Sequence, residues 1–229
     1  MNMMNSEGSA QHLTGQPIAK PLADEQRELS KLHLSRRLDW RFLLPDPSLA
    51  NVGCVGTVDP KLMVSLALFA ESVTKLPAAV DTDIAAADYD LIVAGLPTFS
   101  ELGHAVKQVR SGGYLYVETC GLLWPRQLSS IRGWQDAVDR IRLWNPQAYI
   151  AELVRLGMHG ATAYWFWPNF AACTRMVPLD DPTAFRFVFG TDPKRLRLRR
   201  RAMATVQSAV VTNRWLNLFL PSLGIIASK

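Results

Sequence analysis

The sequence predicts an α/β protein with a Rossmann-like, doubly wound, mostly parallel sheet and an antiparallel edge strand. Short apolar runs that contain or end in glycine, Asn51–Asp59 and Asp88–Pro97, alternate with segments of helical character. A further apolar run, Ser111–Glu118, follows the helical stretch Phe99–Arg110 and opens with a glycine turn. This alternation is typical of strands joined by helices, which form sheets covered on both faces.

Length and composition indicate one globular domain with flanking segments. The chain has 229 residues, of which 48% are hydrophobic, which is enough for one sizeable core. We predict a flexible N-terminal segment over residues 1–20, a globular domain over 21–193 and a basic and apolar tail over 194–229. The polar N-terminus shows no secretion signal, which indicates a cytoplasmic protein. Three cysteines without a metal-ligand spacing indicate reduced thiols and no metal site.

The remaining elements follow from charge order and apolar patterning. Ala23–Leu38 carries acidic residues early and basic residues late, which suits a helix dipole. We predict a helix over Pro60–Ala70 and a second strand over Ser72–Leu76. The last two strands are predicted at Gly160–Trp167 and at Ala184–Phe189, the latter antiparallel at the edge of the sheet.

Glycines Gly53 and Gly56 lie where the first predicted strand gives way to a helix. A residue without a side chain allows a tight turn and lets a ligand approach the backbone. The free amides of the helix N-terminus can then bind the ligand's polar groups. The same glycines can also serve packing alone, and their spacing does not separate these two interpretations.

The order of the segments resembles the class I S-adenosylmethionine-dependent methyltransferases over roughly residues 35–190. In that family Asn51–Asp59 corresponds to the cofactor loop, Asp88–Pro97 to the fourth strand and Ser111–Glu118 to the fifth. The resemblance implies that S-adenosylmethionine is the cofactor. The residues it assigns to cofactor binding are Gly53, Cys54, Gly56, Asp81, Asp83, Gly95, Leu96 and Pro97.

The sequence departs from the family in the cofactor motif. Asn51 stands where the family has an acidic residue, and the loop Gly-Cys-Val-Gly is a reduced version of the family's glycine motif. The family's second strand ends in a carboxylate that binds the ribose hydroxyls. Here that position falls on Leu76 or Pro77, so Asp81 and Asp83 are the nearest substitutes. Between the glycine loop and Asp88 the chain is also shorter than this family usually needs for two strands and a helix.

Candidate catalytic and acceptor-binding residues lie after the predicted strands. His104, in the helix after the fourth family strand, is the candidate general base, although a packed histidine is the common alternative. Glu118 is predicted to cap the loop that follows its strand. Residues 120–145 are predicted to form a substrate lid, in which Trp124 and Arg126 suit a flat or anionic acceptor; the alternative is that the tryptophans of this segment form a small core of their own.

The aromatic stretch Tyr164–Phe170 provides further acceptor candidates. Because side chains alternate along a strand, Tyr164 and Trp167 face opposite sides, so one side belongs to the core and the other is free for an acceptor. We assign Tyr164, Trp167 and Asn169 to acceptor binding. Coverage of this surface by the C-terminal tail is the alternative.

The C-terminal tail combines charge with apolar residues. Residues 194–201 carry six basic side chains in eight positions, and the apolar stretch after them is too broken for a membrane span. We predict that Lys194–Lys229 is an attachment module outside the catalytic core. Its partners would be its own domain, a protein partner or second subunit, or an anionic surface at the inner face of the membrane. Nucleic acid is disfavoured because no aromatic residues interleave with the basic run.

Two functions remain compatible with the sequence. The first is an S-adenosylmethionine-dependent O- or N-methyltransferase acting on a small-molecule or saccharide-like acceptor. The second is a catalytically inactive methyltransferase-like scaffold or binding subunit, with a membrane as one site of attachment. The glycine turn and the Gly95-Leu96-Pro97 exit favour the first, whereas the missing ribose carboxylate favours the second.

Overall fold

The computed structural model describes residues 30–77, 89–121, 142–143, 145–181 and 220–229, with isolated residues between 134 and 138 and between 183 and 187. The chain divides into two units after His33. The strands and the helices α1 to α3 defined below all belong to the second unit. The N-terminal segment 1–20 and the basic run 194–201 lie outside the described residues, so the predictions made for them stay predictions.

The second unit is built from short strands and helices that alternate along its first half. The strands are β1 Leu49–Gly56, β2 Ala70–Lys75, β3 Tyr89–Gly95, β4 Val109–Thr119, β5 His159–Trp167, β6 Arg175–Pro178 and β7 Leu223–Ser228. The helices α1 Pro60–Phe69, α2 Phe99–Gln108 and α3 Pro146–Arg155 each have ten residues. A 3-10 helix at Asp39–Leu43 precedes β1.

The strands form one seven-stranded sheet in the order β2-β1-β3-β4-β7-β5-β6. Strands β2, β1, β3 and β4 pair in parallel, and β7 is antiparallel to both β4 and β5. Strand β6 pairs antiparallel with β5 and lies at the edge. The chain moves from β1 outward to β2 and then crosses to β3 on the other side of β1, so the strand order reverses between β1 and β3.

Each helix begins with a signal that the sequence carries. Asp59 precedes Pro60 and its side chain accepts a hydrogen bond from the amide of Lys61, which caps α1. Thr98 and Glu101 form a reciprocal capping box at the start of α2. Asn145 accepts from the amide of Ala148 at the start of α3. These caps fix where the chain turns from strand to helix.

Both faces of the sheet are buried. Along β3, Ile92 and Ala94 pack in the core shared with α2 and α3, whereas Leu91 and Val93 pack on the other face with α1 and Trp40. Strands buried on both faces read as continuous apolar runs, as in the Ile-Val-Ala segment of β3. The α/β, doubly wound fold class predicted from the sequence is therefore confirmed.

The position predicted for the last strand is wrong. The strand lies at Leu223–Ser228, and the antiparallel edge strand is Arg175–Pro178 rather than Ala184–Phe189. Residues 183, 184 and 187 are helical. The apolar run after Leu223 has the composition of a strand buried on both faces, whereas Arg186 interrupts the predicted segment.

The attachment module predicted for Lys194–Lys229 is consequently wrong for its last part. Residues 223–228 pair with β4 on one side and β5 on the other, and Ile225 is fully buried. Lys229 also donates from its ammonium group to the carbonyls of Val106 and Val109, at the C-terminal end of α2. The end of this segment is part of the folded sheet.

Other element boundaries agree with the sequence. The predicted helix Pro60–Ala70 is observed at Pro60–Phe69, and the second strand predicted at Ser72–Leu76 is observed at Ala70–Lys75. Asp81 and Asp83 lie outside the described residues.

We expect that a chain truncated before Leu223 does not fold. The truncation removes the strand that connects β4 to β5, which leaves two strand edges and both cores open. Thermal melting followed by circular dichroism, together with size-exclusion chromatography, measures the result. A truncated chain that melts cooperatively near the wild-type temperature would contradict the placement of β7.

A point substitution in β7 tests the same placement through a smaller loss of stability. Ile225→Ala should lower the free energy of unfolding by about 2–5 kcal/mol because Ile225 is 0% exposed. The matched control is Val154→Ala, at a side chain 58% exposed on α3, which should change it by no more than about 0.5 kcal/mol.

Candidate functional site

The candidate site lies where β1, β3 and β4 end, at the point where the strand order reverses. The amide of Thr57 donates to the carbonyl of Gly95 at 2.7 Å, and the amide of Leu96 donates to the carbonyl of Glu118 at 2.8 Å. The three strand ends are thus held together by backbone hydrogen bonds beyond the strands themselves. Open α/β sheets bind ligands at this place.

Gly56 and Gly95 allow the strand ends to approach closely. A Cβ atom on Gly56 would lie 2.5 Å from the carbonyl oxygen of Gly95, and one on Gly95 would lie 2.4 Å from that of Thr57. Gly56 also has a φ of 73°, which favours glycine. Packing between the two loops therefore accounts for both glycines.

Leu96 has a φ of 45°, and no other described residue apart from glycine has a positive φ. A leucine in this region costs on the order of 1 kcal/mol or more, and such strain collects at ligand sites. Its side chain is buried, with 3% exposed, and Pro97 follows it towards the start of α2. The strained peptide lies beside Gly56, where the resemblance assigns a cofactor.

Gly53 and Cys54 face the protein interior. A Cβ on Gly53 would lie 2.4 Å from Cδ1 of Ile92 and 3.1 Å from Cδ1 of Leu76. The expectation that a side chain at Gly53 would enter the ligand's approach is therefore wrong, since it would enter the core. Cys54 is 1% exposed, and burial raises the pKa of its thiol to about 12.

A pocket of about 170 Å³ lies at the carboxyl ends of β1 and β2. Its lining residues are Cys54, Gly56, Thr57, Val58, Met63 and Lys75. The volume is below the roughly 300–1,000 Å³ that is usual for small-molecule sites. The pocket formed by the described residues is therefore smaller than a whole nucleoside-sized ligand requires.

The described residues fit only one side of an S-adenosylmethionine site. The glycine turn at Gly56 and the apolar wall of Val58 and Met63 fit a ligand lying on the end of β1. At the end of β2, Lys75 lines the pocket and Leu76 is buried. A lysine is a donor only, so it does not provide the paired acceptor that the ribose hydroxyls need.

The end of β4 carries a buried ion pair that the sequence analysis did not predict. Arg37 donates from Nη1 and Nη2 to the two carboxylate oxygens of Glu118, both at 2.6 Å, and the hydroxyl of Tyr116 donates to Glu118 at 3.0 Å. Arg37 is 4% and Glu118 2% exposed. The role predicted for Glu118, as a cap for the following loop, is wrong, because its carboxylate binds Arg37 and Tyr116.

Burial and the charge of Glu118 act in opposite directions on Arg37 and in the same direction on Tyr116. Burial opposes the charge on Arg37, but attraction to Glu118 and the hydrogen bonds between them outweigh it and raise the pKa of Arg37. Burial, followed by repulsion from Glu118, raises the pKa of Tyr116 well above its ordinary value. The cluster therefore holds a charged arginine and a neutral tyrosine.

Aromatic rings enclose the ion pair. Trp40 stacks on Tyr116 with ring centroids 3.9 Å apart, and the guanidinium of Arg37 lies 4.9 Å from the ring centroid of Phe170. Phe170 in turn contacts Phe166 at 5.0 Å. The Phe170 ring beside the guanidinium, and the Tyr116 hydroxyl bound to the carboxylate, help to exclude water from the bidentate pair and to fix its geometry. The segment Arg37–Trp40 is thereby fastened to the end of β4.

His104 is not among the residues at the strand ends. It lies in α2, is 6% exposed and lines a groove between α2 and α3, together with Phe99 and Leu156. It does not line the pocket that contains Gly56 and Lys75. The structure therefore gives no contact between the candidate base and the candidate cofactor pocket.

The predicted acceptor residues do not form one site. Tyr164 lines a small depression with Tyr114 and Leu43, whereas Trp167 lies on the opposite face of β5 and contacts Trp165 edge to face. The side-chain oxygen of Asn169 accepts hydrogen bonds from the amides of residues 171 and 172, so it shapes its own turn. Trp124 and Arg126 lie outside the described residues.

Two residues of the site, Arg37 and Lys75, were missed. Arg37 precedes Leu38 and Trp40, which are buried, but nothing in the sequence indicates which acid it meets 81 positions away. Lys75 ends β2 and could have been found, since the predicted end of the second strand, Leu76, differs from the observed end by one residue. The presence of a basic side chain at the end of β2 says more about this pocket than the absence of a carboxylate there.

Comparison with sequence families and with characterised proteins finds no match. Solved structures similar to the chain include S-adenosylmethionine-dependent methyltransferases. One from Archaeoglobus fulgidus is 14% identical, with 92% of this chain and 100% of that chain covered and a TM-score of 0.46. One from Thermotoga maritima is 9% identical, with 92% and 96% covered and a TM-score of 0.44.

A third similar structure is phosphoethanolamine N-methyltransferase 2 from Haemonchus contortus, in complex with S-adenosylmethionine. It is 9% identical with a TM-score of 0.45, and the match covers 88% of this chain and 52% of that chain. This chain therefore spans about half the length of that protein.

Within the part of the chain that the structure describes, no helix is both long and apolar enough to cross a membrane. The same residues contain no group of three or more side chains arranged to hold a metal ion.

We expect Arg37→Met to lower the free energy of unfolding by about 3–5 kcal/mol, because Glu118 would remain buried without its partner. Glu118→Leu should cost a similar amount, and the double variant should recover most of the loss. Urea denaturation of the four proteins measures the coupling. Arg110→Met is the control, since Arg110 is 54% exposed in its pair with Asp90 and should contribute far less. Additive losses in the double variant would contradict a coupled pair.

Gly53→Val should destabilise the fold by about 1–3 kcal/mol, because the valine would overpack against Ile92 and Leu76. Thr74→Val, at an exposed position of the adjacent strand β2, is the control and should be nearly neutral. Thermal melting of both variants decides the matter. A Gly53→Val protein as stable as the wild type would show that the interior at this point is open.

Proposed function

We propose that the protein is an S-adenosylmethionine-dependent O- or N-methyltransferase of the class I type that acts on a small-molecule or saccharide-like acceptor. The observation that carries this proposal is the pocket beside Gly56, at the point where the order of the parallel strands reverses. This place receives nucleotide-like cofactors in doubly wound sheets. The strained Leu96 at the adjacent strand end supports the same location.

The proposed chemistry makes limited demands on the chain. The bound cofactor would supply an activated methyl group, and the protein would align the acceptor with it and exclude water. The backbone at Thr57 and Val58 would hold the cofactor against the end of β1, with Met63 as an apolar wall. Alignment alone suits an acceptor whose nucleophile is already neutral and reactive, such as an amine.

A general base is absent from the strand ends among the described residues. Glu118 is buried and bound to Arg37, and His104 lines the groove between α2 and α3. Asp59 caps α1 by accepting from the amide of Lys61. Proton removal by solvent, after methyl transfer to an amine, is therefore the simplest route for this arrangement.

The second candidate is a catalytically inactive methyltransferase-like binding subunit. A specific observation favours it: Lys75 lines the pocket where an acceptor for the ribose hydroxyls belongs. The closed cluster of Arg37, Glu118 and Tyr116 also occupies the end of β4. In this alternative the strand ends are a rigid, filled surface, and the fold serves binding to another molecule.

Calorimetric titration with S-adenosylhomocysteine separates the two candidates. If the protein is a methyltransferase, titration with S-adenosylhomocysteine should release or absorb heat that saturates. Lys75→Asp should then strengthen binding of this ligand about tenfold, because a carboxylate accepts hydrogen bonds from both ribose hydroxyls. Lys61→Asp makes the same charge change on an exposed helix turn and should leave affinity unchanged. If neither the wild type nor Lys75→Asp binds the ligand, the methyltransferase proposal fails and the binding subunit remains.

A further inference from the structure

A second concave surface lies between helices α2 and α3 and shares no residue with the pocket at the strand ends. This groove has a volume of about 930 Å³ and is lined along α2 from Phe99 to Lys107. The volume falls within the roughly 300–1,000 Å³ that is usual for small-molecule sites. Residues 100–107 extend over about 10 Å of helix, so the groove is elongated.

Gly103 leaves space in this groove that the described fold does not need. It lies in the middle of α2, and a Cβ there would have one neighbour within 4 Å, Cδ2 of Leu156 at 4.0 Å. Glycine inside a helix is less favourable than alanine by roughly 0.5–1 kcal/mol. Neither backbone geometry nor packing against described residues explains why this position lacks a side chain.

His104, next to Gly103, provides a second and independent sign of a ligand. Its side chain is 6% exposed and lines the groove, and its Nε2 has no hydrogen-bond partner among the described residues. A buried ring nitrogen without a partner is costly. A ligand with a hydrogen-bonding oxygen would supply the partner after a small rotation of the ring.

The charges around the groove favour an anion. Lys107 and Arg142 line it, and no carboxylate pairs with either among the described residues. The acidic side chains nearby are already bound: Glu152 holds Arg155, and Glu101 caps α2. Among the residues that the structure describes, the unpaired charges of the groove are therefore positive, whereas its walls at Phe99 and Leu156 are apolar.

We propose that the groove between α2 and α3 binds an elongated amphipathic carboxylate. The carboxylate end contacts Arg142 and Lys107 and reaches His104, and the apolar body lies over Gly103 against Leu156. This site is independent of cofactor binding at the strand ends, because the two pockets have no residue in common.

Decanoate is the probe, and decan-1-ol is the uncharged control of the same length. Isothermal titration calorimetry should show saturable binding of decanoate and much weaker binding of decan-1-ol. Lys107→Gln and Arg142→Gln should each weaken decanoate binding by about 3-fold, the size expected of a partly exposed charge pair. Lys61→Gln, which removes the same charge from an exposed position of α1, should leave the affinity unchanged.

Substitutions at Gly103 distinguish a ligand-binding groove from an empty gap in the packing. Gly103→Leu should abolish decanoate binding while the protein stays folded, since the leucine enters open space. Gly103→Ala should raise the melting temperature by roughly 2–4 °C through helix propensity. NMR of the His104 imidazole should show a shift with decanoate in the wild type and none in Gly103→Leu.

Several results would overturn the proposal. One is the absence of decanoate binding, or binding that Gly103→Leu leaves intact. Another is unfolding of both Gly103 variants, which would show that other parts of the chain fill the groove. Equal affinity for decanoate and decan-1-ol would show that the groove does not recognise the carboxylate group. None of these results depends on S-adenosylhomocysteine, so failure here leaves the proposed function standing.

Discussion

The bidentate ion pair between Arg37 and Glu118 governs how the candidate site is enclosed. It joins the segment before β1 to the end of β4 across the middle of the sheet, and the stacked rings of Trp40 and Tyr116 join the same two elements. A buried pair of this kind adds little net stability compared with apolar packing, but removing one partner is costly. Its main effect is to fix one arrangement of the chain over the strand ends.

That arrangement decides what the strand ends can bind. The carboxylate at the end of β4 is unavailable to a ligand, and the pocket that remains is restricted to the ends of β1 and β2 beside Lys75. Opening the end of β4 to a ligand would require Glu118 to leave Arg37, which would break both charged hydrogen bonds.

Short sequence motifs predicted those parts of the fold that depend on residues close together in the sequence. Asp59 and Pro60 start α1, and the glycines at the ends of β1 and β3 mark the crossing between them, so these elements were found. The last strand was misplaced because two apolar segments compete for it, and only pairing with β4 and β5 selects Leu223–Ser228. Likewise, the partner of Glu118 is determined by the folded sheet and not by the sequence around it. Gly53 showed the same limit, since a glycine required by Ile92 looks identical in the sequence to one required by a ligand.

The position of β7 also affects the order in which the sheet can form. Tyr114 pairs with Ser228, so this contact closes a loop of more than a hundred residues. All six other strands precede β7 in the sequence, and during synthesis β4 and β5 emerge before the strand that joins them. Until β7 arrives, each presents an unpaired edge on which another chain can add a strand. The nascent protein therefore passes through a stage that is open to aggregation and to chaperone binding, and this stage ends only when the reversed strand is inserted.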